Sequence, residues 1–317
     1  MKHKLFATTA SQYLLDKINH PLLEHLKGNM ITETFSDGEI AVKFEESVRG
    51  YHLFIFGDCS KPQNIIELMF AINASFLSAA AKVTLILPYF GYSRQDRQES
   101  SRGSLGAALI AKMLTSRELA PIVDRVLTID LHAEQEQGFF NTPCEHIRGH
   151  AIFLPEVKKL INEKTILCSP DAGGTKRVEK YMSKLELPMV TINKRRDKPN
   201  SIASMELNGD VKGKEVIIID DIVDTCGTLL KAVNYLKDEG AEKVYYFATH
   251  PVLSGKAIEN LCKSKLDALY ISDTIPMSFY QNKFPNCPPI KFVSCVPITE
   301  KAIINIVGDN SISELNA

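Results

Sequence analysis

The stretch Val216–Leu230, VIIIDDIVDTCGTLL, decides the fold of this chain. Its first four residues, Val216–Ile219, predict a buried strand, because the run is too short and too rich in β-branched residues for a helix. Asp220-Asp221 follows at the carboxyl end of that strand, where open α/β sheets bind their ligands. A helix is predicted from Leu229 to about Glu239, so the stretch indicates a strand–turn–helix unit of an α/β sheet.

The small polar residues Asp224–Thr228, between the strand and the helix, suit a phosphate group. Backbone N–H groups at a helix N-terminus bind anions, Gly227 permits close approach, and two threonines add hydroxyl donors. The preceding carboxylates would repel a phosphate, so we expect Asp220 and Asp221 to hold sugar hydroxyls or Mg²⁺. An acidic helix cap is the alternative, but the pattern Asp-Asp-x-x-Asp-Thr-x-Gly-Thr rarely arises for capping alone.

Length and composition are those of an ordinary globular chain. The 317 residues predict two domains of about 150 residues each. A net charge of -1 gives no electrostatic case for binding nucleic acid or acidic membranes. Seven cysteines, an odd number without a C-x-x-C pair, indicate neither a disulfide framework nor a zinc site. The N-terminal residues form no sustained apolar segment, and we expect a cytoplasmic enzyme.

Strand-like and helix-like segments alternate through both halves of the chain. The pattern predicts an α/β protein with two similar domains, each a doubly wound parallel sheet. We place the first domain at 1–148 and the second at 149–297, with the tail 298–317 packing back on the first. Long helices are expected over Ser11–Leu26 and Ser101–Ser116. Neither a P-loop nor a Rossmann fingerprint occurs in the sequence.

Two turns of the first domain carry residue types that suit a nucleotide. Phe35–Glu39, FSDGE, lies between two strand-like runs, and taken alone it is typical of a solvated hairpin tip. Pro88–Arg97, PYFGYSRQDR, follows a predicted strand and places aromatic rings beside two arginines. Rings can sandwich a base and guanidinium groups can grip phosphate oxygens, although a surface loop with a buried aromatic anchor would also explain this run.

Two side chains at predicted strand ends are candidate metal ligands. His132 comes at the end of the predicted strand Arg125–Leu131, where a neutral imidazole could bind a metal, and a structural histidine is the equal alternative. Asp171 follows the predicted strand Thr165–Ser169 in the same way. The two residues are therefore candidates for one Mg²⁺ environment.

Taken together, these motifs resemble the phosphoribosyl pyrophosphate synthetases, or ribose-phosphate pyrophosphokinases, from about Lys4 to Ser313. Phosphoribosyltransferases share only the ribose-phosphate loop of this set. The first-domain motifs and a basic run at Lys194 separate the two families. Taken alone, that basic run would favour a solvated surface. The matching segments are FSDGE at Phe35–Glu39, PYFGYSRQDR at Pro88–Arg97, DLHAEQ at Asp130–Gln135, QGFF at Gln137–Phe140, SPDAGG at Ser169–Gly174, KRR at Lys194–Arg196, DDIVDTCGT at Asp220–Thr228, ATHPVLSG at Ala248–Gly255 and DTIP at Asp273–Pro276.

The resemblance implies a reaction and the residues that perform it. Enzymes of this family move the β,γ-diphosphoryl group of ATP to the C1 hydroxyl of ribose 5-phosphate and release AMP, feeding nucleotide biosynthesis. Mg²⁺ is the implied cofactor, with Mn²⁺ as a substitute. The matching positions are nucleotide contacts at Phe35, Asp37, Gly38, Glu39, Arg94, Gln95, Asp96 and Arg97, metal ligands at His132 and Asp171, ribose 5-phosphate contacts at Arg196, Asp220, Asp221, Asp224, Thr225, Cys226, Gly227 and Thr228, and catalytic cations at Lys194 and Arg196.

The resemblance also implies assembly and regulation. The family forms homohexamers, in which the turn at Phe35–Glu39 reaches the nucleotide site of a neighbouring subunit. Inorganic phosphate is the implied activator and ADP the implied inhibitor. The chain departs from the regulatory pattern at Ala80, where the family has a serine, and at Gly103-Ser104-Leu105. Residues that still match the regulatory anion site are Ser47, Arg49, Arg102, Ser311 and Ser313.

Two alternatives remain open from the sequence. A phosphoribosyltransferase would need no ATP, and the nucleotide motifs argue against it. A non-catalytic regulatory relative would show damage around Lys194–Arg196 or Asp220–Thr228, and neither motif is interrupted.

Overall fold

The computed structural model describes residues 1–98, 100–195, 204–276 and 287–316. It separates into two compact units. Unit 1 comprises residues 1–148, the short segment 274–276 and the described chain from residue 295 onward. Unit 2 comprises the remaining described residues, from 149 to 294.

Unit 1 is built on a five-stranded sheet and a separate hairpin. Its strands are β1 (Lys2–Ala7), β2 (Met30–Thr34), β3 (Ile40–Phe44), β4 (Tyr51–Phe56), β5 (Lys82–Leu87), β6 (Val123–Ile129) and β7 (Cys144–Ile147). The sheet order is β1-β4-β5-β6-β7 with all neighbours parallel, while β2 and β3 pair antiparallel. Its helices up to residue 148 are α1 (Gln12–Lys17), α2 (Pro21–Glu24), α3 (Pro62–Leu77) and α4 (Gly106–Leu114).

The core of unit 1 forms where helices cover this sheet. Leu68 and Ile72 of α3 and Leu114 of α4 are fully buried with Leu53 and Leu85 of the strands. Strands buried in this way read as continuous apolar runs, which is why β4 and β5 are recognisable in the sequence.

The helix predicted over Ser11–Leu26 is wrong in its extent, because the segment is divided into α1 and α2. Pro21 begins α2, and His20 before it is extended, with φ -64° and ψ 128°. A residue that precedes proline is disfavoured in the helical region. The N–H groups of Asn19 and His20 instead donate to one carboxylate oxygen of Glu300, at 2.8 and 2.9 Å.

The helix predicted over Ser101–Ser116 is also too long. α4 begins at Gly106, and the preceding residues form a turn in which the Gly103 N–H donates to the Ser100 carbonyl at 3.0 Å. The Gln98 amide closes the same turn by donating to the Gly103 carbonyl at 2.7 Å. Arg102 therefore lies in an exposed turn rather than on a helix.

Unit 2 is built on a seven-stranded sheet. Its strands are β8 (Thr165–Ser169), β9 (Met189–Arg195), β10 (Ser204–Asn208), β11 (Glu215–Val223), β12 (Lys243–Pro251), β13 (Ala268–Ser272) and β14 (Ile290–Val293), in the order β10-β9-β8-β11-β12-β13-β14. All neighbours are parallel except β10 and β9. Its helices are α5 (His150–Lys158), α6 (Thr175–Leu185), α7 (Gly227–Asp238) and α8 (Ala257–Lys263), and α9 (Val296–Val307) returns to unit 1.

Both sheets confirm the predicted α/β class. β11 lies at the centre of the unit 2 sheet, between β8 and β12. Ile218 of β11 is fully buried with Leu229 and Val233 of α7 in one apolar cluster. Among the described residues, no helix has both the length and the apolar character needed to cross a membrane.

One cysteine pair differs from the expectation that no disulfide forms. Cys262 of α8 is bonded to Cys287, 25 residues later. Cys262 lies shortly before β13 and Cys287 shortly before β14, so the parallel pairing of these strands brings both cysteines to the same edge of the sheet. This contact depends on sheet order, so spacing in the sequence cannot reveal it.

A buried histidine in unit 1 makes the stability of the fold depend on pH. His52 of β4 is 2% exposed, its Nε2 lies 2.8 Å from the Thr84 hydroxyl, and burial lowers its pKa to about 3. The unfolded chain binds a proton near pH 6.5 that the folded chain does not bind, so stability falls as the pH drops from 6.5 towards 3. We expect His52→Gln to reduce that slope by at most about 1.4 kcal/mol per pH unit.

The measurement is urea unfolding of wild type and His52→Gln at several pH values between 7 and 4. The exposed His25 supplies the control, His25→Gln, for the loss of a histidine at the surface. Equal slopes for His52→Gln and wild type would contradict the assignment of a buried neutral imidazole.

Candidate active site

The two neighbouring aspartates lie inside β11 rather than after it. The predicted strand ended at Ile219, but β11 continues to Val223. Ile222 and Val223 pair with the last two residues of β12, which extends the ladder beyond the apolar run. Asp220 and Asp221 therefore sit on regular strand backbone near the carboxyl edge of the sheet.

Protein groups hold both aspartate side chains. Asp220 Oδ1 accepts the Asp221 N–H at 3.0 Å, and Asp220 Oδ2 accepts the hydroxyl of Tyr246. Burial and the neighbouring Asp221 carboxylate raise the pKa of Asp220 well above its usual value. Asp221 is itself buried, and its Oδ1 lies 3.4 Å from Nη1 of Arg177 on α6. The pair thus forms a fixed acidic site, with Arg177 beside Asp221.

The loop after β11 connects this strand to the N-terminus of α7. Ser254 donates its hydroxyl to the Asp224 carboxylate, and the Asn260 amide donates to the Thr225 carbonyl at 2.8 Å. Thr225 and Thr228 are exposed. A Cβ added to Gly227 would meet only the Thr225 hydroxyl, at 3.5 Å, so the space in front of this glycine is open. A helix leaves its first N–H groups without intrahelical partners, and here they face a gap that suits an anion.

Cys226 makes the turn that starts α7. Its φ is 56°, a left-handed conformation, and its side chain is only 3% exposed. Burial and the Asp224 carboxylate raise the pKa of the Cys226 thiol to about 12. The thiol is therefore protonated at neutral pH, which agrees with a space-filling role rather than a reactive one.

Asp171 lies at the same sheet edge as the aspartate pair. It follows β8, which is a direct neighbour of β11. Its carboxylate accepts the Gly174 N–H at 3.0 Å, and the Ser169 hydroxyl donates to its carbonyl at 2.7 Å. These contacts fix the side chain at the start of α6, while the residue remains partly exposed.

His132 is exposed at the corresponding edge of unit 1. The chain turns after β6 through Asp130, whose φ is 45°. The Leu131 N–H donates to Nε2 of His146 at 3.0 Å, and the Ala133 N–H donates to the carboxylate of the buried Glu136 at 2.9 Å. Both flanking amides are therefore fixed by side chains, which positions His132.

The Asp171 carboxylate suits a Mg²⁺ ion that is also held by substrate phosphates and waters. Within the described chain, no group of three or more His, Cys, Asp or Glu side chains is placed to hold a metal. Mg²⁺ is usually held by one or two carboxylates together with substrate phosphates and waters, so Asp171 suits it. His132 belongs to unit 1 and Asp171 to unit 2, and their shared metal environment stays a prediction.

The candidate nucleotide residues occupy two places in unit 1. Phe35–Glu39 forms the tip of the β2–β3 hairpin, where the Phe35 side chain is 52% exposed and the Glu39 N–H donates to the Asp37 carboxylate at 3.0 Å. Gly38 takes φ 92°, which the turn requires. An exposed phenylalanine on a hairpin outside the main sheet is available for contact.

The second group follows β5 in the main sheet. Arg94 and Gln95 lie in a short 3₁₀ turn, and Arg94 and Arg97 are exposed. The Gln135 amide donates to the Asp96 carboxylate at 3.4 Å, which links this loop to the chain after β6. The carboxyl ends of β5 and β6 thus bring the arginines near the loop that carries His132.

The basic run begins at the end of β9. The backbone of Lys194 pairs with Met205 of β10. Arg196 lies outside the described residues, as does the side chain of Lys194. The backbone of Lys194 therefore lies in β9, beside the antiparallel edge strand β10.

The candidate regulatory residues are surface groups of unit 1. Ser47, Arg49 and Arg102 are exposed, and the Ser311 hydroxyl donates to that of Ser313 at 3.0 Å. The Gly50 N–H donates to the Ala79 carbonyl at 2.8 Å. The turn that carries Arg49 therefore lies against the segment that carries Ala80.

Sequence reasoning missed three side chains that organise the site. They are Arg177, Tyr246 and His146. Arg177 is the third residue of α6, the helix that follows the Asp171 turn, and this position could have been recognised in the sequence. The contacts of Tyr246 and His146 depend on strand register and on β7, whose four residues, CEHI, carry no clear strand pattern.

Family comparisons cover both halves of the chain. Residues 3–117 match the N-terminal domain of ribose phosphate pyrophosphokinase, and residues 162–316 match the phosphoribosyl synthetase-associated domain. A ribose-phosphate pyrophosphokinase from Porphyromonas gingivalis is 39% identical over 98% of this chain and 96% of its own length. One from Buchnera aphidicola is 40% identical over 98% of both chains.

A solved structure agrees with the fold. The phosphoribosylpyrophosphate synthetase from Mycobacterium smegmatis superposes with a TM-score of 0.87, is 32% identical, and matches over 98% of this chain and all of its own. Likeness of this extent in sequence and fold shows that the chain belongs to the ribose-phosphate pyrophosphokinase family.

Proposed function

We propose that this chain is a ribose-phosphate diphosphokinase that makes 5-phosphoribosyl 1-diphosphate and AMP from ATP and ribose 5-phosphate in the cytoplasm. The observation that carries the proposal is the junction of β11 and α7, where two fixed carboxylates precede an open helix N-terminus. The C1 oxygen of the sugar bonds to the β-phosphorus of ATP. The bond from that phosphorus to the α-phosphate oxygen breaks, AMP leaves, and the hydroxyl proton passes to water.

The junction offers a subsite for each end of the sugar phosphate. Asp220 and Asp221 would accept hydrogen bonds from ribose hydroxyls. The 5-phosphate would lie against Asp224–Thr228, at the first N–H groups of α7, with the exposed hydroxyls of Thr225 and Thr228 as further donors. Binding at both ends orients the C1 hydroxyl, and orientation supplies much of the barrier reduction in phosphoryl transfer.

The nucleotide side of the proposal rests on unit 1. Arg94 and Arg97 are exposed cations beside the loop of His132, and they suit the phosphates of ATP. The exposed ring of Phe35 suits the adenine of a nucleotide bound to a neighbouring subunit. We include the homohexamer in the proposal for that reason.

Metal and loop cations would neutralise the transferred group. His132 and Asp171 would hold Mg²⁺, which supplies positive charge at the phosphate oxygens when bound. Lys194 and Arg196 would add cations at the β-phosphate. Phosphate activation and ADP inhibition are proposed through Ser47, Arg49, Arg102, Ser311 and Ser313, although Ala80 removes one hydroxyl from that set.

Phosphorus NMR of the purified protein with ATP, Mg²⁺ and ribose 5-phosphate tests the reaction. We expect AMP and a new pyrophosphorylated sugar to appear together, and neither to appear when ribose 5-phosphate is omitted. ADP as the product would indicate an ordinary sugar kinase and would overturn the mechanism.

Repeating the assay with inorganic phosphate distinguishes the remaining hypotheses. Activity that appears only after phosphate is added would support a retained activator site. Silence with and without phosphate would favour the non-catalytic regulatory relative. Consumption of 5-phosphoribosyl 1-diphosphate with a base, without need for ATP, would favour the phosphoribosyltransferase.

A further inference from the structure

The side chain of Tyr246 is buried and contacts the aspartate pair from the protein interior. Tyr246 is 1% exposed and belongs to the apolar cluster that contains Cys226 and Leu229 at the start of α7. A buried tyrosine hydroxyl needs a hydrogen-bond partner. It finds one in Oδ2 of Asp220, whose residue is only half-buried. The contact thus joins the protein interior to a residue of the proposed ribose subsite.

Strand register explains how the two side chains meet. Ala248 of β12 lies opposite Asp220, and Tyr246 lies opposite Ile218. Side chains two residues apart share a sheet face, so Tyr246 is diagonal to Asp220. Adjacent strands lie about 4.8 Å apart and two residues span about 6.6 Å, a diagonal that only a long side chain can cross. The small Ala248 leaves the path of the tyrosine ring clear.

The two protein donors use different oxygens of the carboxylate. Asp221 N–H binds Oδ1 and Tyr246 binds Oδ2, which together fix the rotation of the Asp220 carboxylate plane. Each carboxylate oxygen keeps further lone pairs. Those lone pairs are held in set directions, and the half-buried residue can present them to a ligand.

We propose that Tyr246 is a positioning residue of the sugar subsite, whose hydroxyl fixes the Asp220 carboxylate to receive hydroxyl groups of ribose 5-phosphate. The inference rests on the proposed function, since Asp220 is a sugar ligand only in that context. Tyr246 cannot touch the sugar itself because it is buried. Its effect is therefore on sugar binding, and ATP binding should not change.

Tyr246→Phe tests this inference, because it removes the hydroxyl and keeps the ring. We expect the dissociation constant of ribose 5-phosphate, from calorimetry, and its KM to rise about tenfold, because the Asp220 side chain loses the hydrogen bond that orients it towards the sugar. The KM of ATP and kcat should stay within about twofold. In an Asp220→Asn background, Tyr246→Phe should raise the dissociation constant of ribose 5-phosphate much less, since the two residues act as a unit.

Tyr235→Phe is the matched control. Its hydroxyl accepts the Leu207 N–H at 3.1 Å, so the variant loses a structural hydrogen bond away from the aspartates. We expect lower stability and unchanged sugar binding. Unchanged ribose 5-phosphate binding by Tyr246→Phe would overturn the inference, as would equal losses for sugar and ATP. Wild-type protein that binds the sugar without making product would overturn the proposed function alone.

Discussion

Lys194→Ala should lower kcat at least about a hundredfold while leaving the affinity for ribose 5-phosphate nearly intact. In-line phosphoryl transfer spreads negative charge over the transferred group, and a cation placed there stabilises the transition state more than the bound substrates. Removing one such donor typically costs about 2.7–4 kcal/mol. Steady-state kcat and the KM of ribose 5-phosphate are the measurements.

Lys212→Ala provides the control for this variant. Lys212 is an exposed lysine of the same unit, so its removal changes net charge equally without touching the basic run. It should keep wild-type kinetics. Equal losses in sugar binding and in kcat for Lys194→Ala would count against a transition-state role, because they would indicate a general disturbance of the site.

Gly91→Ala should destabilise the protein by about 3 kcal/mol. Gly91 lies in the PYFGYSRQDR motif, and a Cβ there would come within 1.9 Å of the Cys59 carbonyl oxygen and 2.6 Å of its carbon. Both atoms belong to the backbone, so the clash cannot be relieved by a change of rotamer. One of the two chain segments must move, and the midpoint of urea unfolding measures the cost.

Gly138→Ala is the matched control for the glycine prediction. A Cβ at Gly138 would meet nothing within 4 Å, and its φ is not in the left-handed region. The substitution should leave stability unchanged or raise it by up to about 1 kcal/mol, because alanine restricts the unfolded chain. Gly91→Ala unfolding at the wild-type urea concentration would contradict the close approach to Cys59.

The central elements of the fold could be predicted because their signals are local. The β-branched run at Val216 becomes β11, the central strand of the unit 2 sheet, and the strand predicted over Thr165–Ser169 is β8. Element limits failed where tertiary contacts intervened. α1 stops early because Pro21 follows and Glu300 satisfies the freed amides, and that carboxylate is about 280 residues away in sequence.

The candidate site also contains some residues that the sequence could predict and others that it could not. Asp171 and the residues from Asp220 to Thr228 could be identified because each follows a strong strand signal at a sheet edge. Tyr246 could not be found, since its contact requires knowing that Ala248, and not Tyr246, lies opposite Asp220. Periodicity gives a residue its face, but it does not give the register between strands.

The bond between Cys262 and Cys287 makes a closed ring of the chain that contains β13. Within unit 2, the ring ties the C-terminal part of α8 to the segment that leads into β14. Cleavage of any one peptide bond inside the ring would therefore leave a single covalent molecule. Under oxidising conditions, the two resulting polypeptides could part only after the sulfur–sulfur bond had been reduced.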